Sequence, residues 1–132
     1  MIEKAAWILL KNGRILTTRS HGKDAYYLPG GKLEPGETPH QALIREIHEE
    51  LGAELDPQTI THAFTIQAPA HDAPAGTEVR MACYTAHHHG ALAPHGEIAE
   101  IAWLAYPERH QASPATQAVM KHLTSGSHWH LS

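Results

Sequence analysis

Three glutamates, Glu46, Glu49 and Glu50, lie three and four residues apart in the stretch Arg45-Glu46-Ile47-His48-Glu49-Glu50-Leu51-Gly52. On a helix that spacing places side chains on neighbouring parts of one surface, so three carboxylates are brought together. Such crowding destabilises an isolated helix and raises carboxylate pKa values unless a cation neutralises it. Oxygen donors without Cys or His favour Mg2+ or Mn2+ over zinc, and Mg2+ commonly bridges carboxylates to substrate phosphates. The chemistry indicated is diphosphate chemistry. Taken alone, the three glutamates would also suit a solvated acidic helix face. Arg45 adds a cation able to hold Glu37 or Glu49 by a charge-assisted bond.

These side chains need a helix under them, and the local sequence supplies its signals. Thr38 can cap it, Pro39 suits its first position, and Gln41 completes a capping box with Thr38. Gly52 provides the left-handed stop, while Leu43, Ile47 and Leu51 recur every four residues as one buried stripe. Upstream, Glu3 to Leu10 and Arg14 to Thr18 flank Asn12-Gly13 and read as a hairpin. Tyr26-Tyr27-Leu28 leads into a turn at Pro29-Gly30-Gly31. Downstream, strands are expected at Gln58 to Ala68, Thr77 to Thr85 and Ile98 to Leu104, with a loop over Ala70 to Gly76. A second helix is expected from Ser113-Pro114 to before Gly126. Two helices among mixed strands suggest an α/β sandwich.

The chain has 132 residues, 42% of them hydrophobic and 18% charged, the size and balance of a single domain over 1–132. Its longest apolar run, Ala5 to Leu10, is far short of a membrane helix, and no signal peptide is legible, so a cytoplasmic location is expected. A formal charge of -4 gives no general attraction for extended nucleic acid or an anionic membrane, and a polyanionic substrate would need a local cation. Lys32 and Arg19 are candidates, each equally readable as a surface cation. The 13 histidines would carry the net charge from -4 to +9 on full protonation. Of these, His87-His88-His89 and His128-Trp129-His130 read as solvated rather than as zinc sites. Cys83, the single cysteine, sits in an alternating stretch as a packed strand residue.

The segment Gly31 to Ala53 resembles the Nudix box, G-x5-E-x7-R-E-U-x-E-E-x-G-U with U aliphatic. Every fixed letter is present, and seven such residues would coincide by chance in about one window in 10^8; Ala53 is a small occupant of the last aliphatic position. The resemblance, to MutT-like Nudix hydrolases, implies an α/β/α sandwich with a mixed sheet. It implies that Glu46, Glu49, Glu50 and the Gly30 carbonyl are metal ligands. It also makes Gly31, Glu37, Arg45 and Gly52 structural members of the box, with Glu37 and Arg45 orienting the glutamates. The reaction it implies is hydrolysis of a nucleoside di- or triphosphate, or a related nucleotide-like diphosphate, by water attack on phosphorus with Mg2+, for which Mn2+ can substitute. A base is expected from the box, Glu49 or Glu50, or from Glu97, six residues before Trp103, where MutT-type members carry an additional metal-binding or catalytic glutamate; Glu100 is its rival. A homodimer would be in keeping with the family.

The resemblance does not choose a substrate. Where MutT-type enzymes that read oxidised guanine use an amide or acid, the aligned position holds Thr116, with one hydroxyl to offer. Tyr26, Tyr27 and Trp103 are candidates to stack on a base or to serve the core. A non-catalytic nucleotide-sensing Nudix domain is the alternative function, although such domains often lose box glutamates. Isomerisation of an isoprenoid diphosphate would need a suitably placed cysteine, which Cys83 is not.

Overall fold

The structure, a computed structural model, describes residues 1–125; His128-Trp129-His130 lies outside the described residues. The elements run β1 (Ile2–Trp7), β2 (Leu10–Lys11), β3 (Arg14–Ser20), β4 (Gly30–Lys32), α1 (Pro39–Leu51), β5 (Glu54–Leu55), β6 (Thr61–Pro69), β7 (Glu78–Thr85), β8 (His88–His89), β9 (Ile98–Leu104) and α2 (Pro114–Ser125), with short 3-10 turns at Pro57–Thr59 and Tyr106–Gln111.

One sheet, ordered β4-β1-β7-β6, is mixed: β1 runs parallel to β7, while the outer pairings are antiparallel. A second, ordered β2-β3-β9, is antiparallel. The helices cover opposite sides. Leu43, Ile47 and Leu51 of α1 pack with Ala5, Trp7, Leu16 and Tyr84, whereas Val119, Met120 and Leu123 of α2 pack with Ala6, Ile8, Ile15 and Cys83. Consecutive strand residues thus feed alternate cores, as the two-residue period of a strand requires. This is the α/β sandwich with a mixed sheet that the sequence suggested. It explains why Ala5 to Leu10 reads as an unbroken apolar run: both of its faces are covered.

The expected first hairpin is shorter than its sequence suggests. Only Leu10–Lys11 turns back on β3, through Asn12 and Gly13 at positive φ (52° and 74°). Before that, Ile8 donates to the Tyr84 carbonyl of one sheet while Leu9 accepts from Leu16 of the other, so the chain changes sheets between them. The pairing of Ile2–Trp7 is with β7, more than 70 residues away, and no local signal announces it. Gly30-Gly31, read as a turn, opens an edge strand against β1. His88–His89 pairs with Glu54–Leu55; His87 and His89 are exposed, as the solvated reading expects, while the partly buried His88 ring meets Trp7 edge-on at 5.2 Å. Cys83 is buried, and burial pushes its thiol up to about 12, which suits a packing role. Among the described residues no helix is long and apolar enough to cross a membrane.

Candidate active site

Helix α1 starts and stops where its signals place it. The Thr38 hydroxyl accepts from Gln41 N and the Gln41 side chain accepts from Thr38 N, the reciprocal capping box, while Gly52 ends the helix at φ 69°. With the apolar stripe buried, the surface flanking it carries Glu46, Glu49 and Glu50 into a cleft of about 660 Å³.

Two glycines let the backbone of β4 approach these carboxylates. A Cβ on Gly31 would lie 2.7 Å from the Glu46 carboxyl carbon, and one on Gly30 (φ 137°) would strike the Ala5 carbonyl at 2.1 Å. The Gly30 amide then donates to Glu50 Oε1 at 3.2 Å.

Arg45 is the brace. It donates to both oxygens of Glu37, from Nε at 2.8 Å and from Nη2 at 3.0 Å, and from Nη1 to Glu46 at 2.7 Å and Glu49 at 3.5 Å. The Lys32 carbonyl accepts from the same guanidinium, which ties β4 to the helix. Hydrogen bonding from Arg45 holds the Glu37 carboxyl down at about 2. Because folding lowers this pKa from 4.5, the brace stabilises fully above about pH 4.5 and is lost as pH falls through about 2. The difference in melting temperature between the wild type and Glu37→Gln should therefore be constant around neutrality, narrow below pH 4.5 and close near pH 2; a difference independent of pH would show that the brace carries no charge-dependent stability.

Glu50 is the opposite case. Burial, and then its hydrogen bond with Glu46, pushes its pKa well above the carboxylate range, with the Gly30 amide opposing. A buried carboxyl beside another is where a cation would replace a shared proton. Among the described residues no three His, Cys, Asp or Glu side chains form a ready-made metal cage.

The far wall of the cleft comes from residues 93–98. Ala93 N and His95 N donate to the carbonyls of Leu51 and Glu50, satisfying the open C-terminal end of α1. The His95 ring lies over Gly52, where a Cβ would come within 2.5 Å of Nε2. This docking presents exposed Glu97 across the cleft from the box glutamates. Glu100 is engaged elsewhere: Arg19 Nε donates to it at 2.7 Å and Tyr26 Oη at 2.9 Å, and these bonds hold its pKa down. Between the two, the register of β3 and β9 shifts at Arg19/Ser20, and the bulge turns Ser20 toward the cleft.

The remaining candidates divide. Arg19 is spent on Glu100 and on the carbonyls of Ser20 and Lys23, away from the glutamates. Lys32 stands on β4 beside the glycines, opposite Lys4 on β1. Thr116 is fully buried; its hydroxyl accepts from Leu28 N and bonds Ser113, so it presents nothing to a base. Tyr26 serves Glu100 and Trp103 packs against the α1 side of the core, whereas Tyr27 lines a pocket that opens from Gly30 and Glu50 toward His71 and Asp72. Sequence reasoning missed Lys4, His71 and His95, because only the pairing of distant strands and loops brings them here.

A curated relative from Proteus vulgaris, an 8-oxo-dGTP diphosphatase, is 43% identical over 56 residues, 42% of this chain and 46% of its own length. An RNA pyrophosphohydrolase from Tolumonas auensis is 42% identical over 50 residues, 38% of this chain and 29% of that protein. The matched stretches thus span less than half of either relative. Among solved structures, the E. coli ORF135 protein superposes with a TM-score of 0.73 at 29% identity, covering 95% of this chain and 89% of that one. The MutT NUDIX hydrolase from Burkholderia pseudomallei gives 0.73 at 26% identity, covering 91% and 95%. The family model described as "NUDIX domain" matches residues 1–123, and with it the chain belongs to the Nudix family.

Proposed function

We propose that the chain is a single catalytic domain that hydrolyses the diphosphate linkage of a small nucleotide-like substrate with Mg2+, or Mn2+ in its place. Nudix hydrolases as a family use divalent metals. The observation that carries the reading is the convergence on one cleft of half-buried Glu50, its neighbours Glu46 and Glu49, and Glu97 on the facing loop. Glu46, Glu49 and Glu50, with the Gly30 carbonyl, would hold the metal, which when bound polarises the phosphoryl oxygens and lowers the pKa of water. Arg45 keeps Glu46 and Glu49 oriented. Glu97 takes the proton as a water oxygen attacks phosphorus, the bridging P–O bond breaks, and a monophosphate leaves.

The buried, doubly bonded hydroxyl of Thr116 argues against the 8-oxo-dGTP preference that the Proteus vulgaris relative's name describes. The test is release of phosphate and monophosphate from nucleoside triphosphates, diphosphates, dinucleoside polyphosphates and sugar-nucleotides, with Mg2+ and with EDTA. Turnover of one class that EDTA abolishes is expected. Tight nucleotide binding without turnover would replace this reading with a nucleotide sensor.

A further inference from the structure

The cations around the cleft are not equally available. Arg19 is bound to Glu100 at 2.7 Å, Lys23 to Asp72 at 3.6 Å, and Arg45 to Glu37 at 2.8 Å. Lys4 and Lys32, among the described residues, have no carboxylate within ion-pair distance, although both border the Gly30-Gly31 segment. They stand directly opposite each other across β1 and β4, where like charges are destabilising. Because alternate strand residues face opposite ways, and Gly31 faces Glu46, the two lysines share the other face. Lys4 is partly buried there, with its Nζ 5.6 Å from the centre of the Tyr27 ring. Burial and the Lys32 charge lower its pKa, while Glu50 and Glu46 oppose that shift.

Two unpaired cations on one face, one of them partly desolvated, gain most from an anion between them. Tyr27, whose ring centre lies 5.6 Å from Lys4 Nζ, lines the pocket that also takes in Gly30 and Glu50, so Lys4 stands at one wall of a space contiguous with the carboxylates.

We propose that Lys4 and Lys32 form an anion subsite that holds a phosphate of the substrate outside the carboxylate cleft. The proposal rests on the hydrolase reading for its substrate class. It assigns to this pair the role that Arg19, neutralised by Glu100, does not fill. Lys4 contributes binding rather than proton transfer, so its loss weakens the ground and transition states alike.

The test compares the wild type, Lys4→Met and Lys4→Arg by steady-state kinetics with the best nucleotide of the panel. It also measures calorimetric binding of methylenebisphosphonate, a non-hydrolysable diphosphate, in Mg2+. Lys4→Met should raise KM tenfold or more with kcat within about twofold, and weaken bisphosphonate binding by a similar factor, the worth of a charge-assisted hydrogen bond. Lys4→Arg should restore most of both. The melting temperature of Lys4→Met should be unchanged or higher, since one of two facing lysines is removed. Unchanged KM and binding in Lys4→Met, a lower melting temperature as its only effect, or no bisphosphonate binding by the wild type would overturn the subsite. If the wild type turns over no nucleotide, the hydrolase reading falls, and the calorimetry still decides the subsite.

Discussion

Glu50→Gln should abolish nearly all turnover while leaving the fold intact. Gln keeps the oxygen that accepts from the Gly30 amide at 3.2 Å, and nearly the same shape, so β4 stays tied to α1. What it removes is the capacity of this carboxyl to ionise toward a cation, in a cluster already crowded by Glu46 and Glu49. Relief of that crowding should leave the melting temperature equal or raised. Removing an outer partner of a metal ligand typically costs about 10–100-fold; loss of a ligand's own charge should cost kcat more than that. Side-by-side kcat and thermal melts decide the matter, together with the Mg2+ concentration needed for half-maximal rate, which should rise. Near-normal turnover at ordinary Mg2+ would remove Glu50 from the proposed metal site and with it the leading argument for this cleft. The opposite pattern, lost activity with a much lower melting temperature, would make Glu50 a structural residue.

The complementary experiment disturbs the buried stripe of the same helix. Leu43 is fully buried, packed with Ile47 and Leu51 against the Ala5, Trp7 and Leu16 side of the sheets. Leu43→Ala leaves a cavity where neighbouring strands limit collapse, at a cost of about 2–5 kcal/mol. At this chain length each kcal/mol moves the melting temperature by roughly 3–4 °C, so a fall of about 6–20 °C is expected. Well below the transition, kcat should change far less than in Glu50→Gln, because no carboxylate is removed. An unchanged melting temperature would contradict the assignment of the buried face. The two variants together separate what the helix does for the fold from what it does for the chemistry.

Much of α1 was legible in the residues because its determinants are local. The Thr38/Gln41 box, Pro39, the i, i+4 stripe and Gly52 lie within one short stretch and agree with one another. The carboxylate set follows from helical spacing alone. Strand β9 was legible to its ends for a similar reason, as a short apolar run after a polar loop. The split of the first strand between two sheets was not, since both halves are apolar and only the distant carbonyl of Tyr84 decides where Ile8 pairs. The short β5–β8 pair was hidden likewise: two residues on each side carry no periodic signal, and histidine reads as polar wherever it stands.

Spacing along one segment therefore determined the family, the helix and the three glutamates that crowd beside its apolar stripe. Only the tertiary structure decided which remaining charges belong to the site. Glu97 and Glu100 are three residues apart and chemically alike, yet the docking of 93–96 onto the end of α1 sends one to the cleft, while pairing with Arg19 and Tyr26 neutralises the other. Arg19 and Lys4 were equally plain cations in the sequence, but one lies opposite a glutamate on the neighbouring strand and the other opposite a lysine. A side chain's charge belongs to its residue type; whether that charge is free to act depends on the partner brought to it from elsewhere in the chain, and that is set by strand register and loop docking across tens of residues.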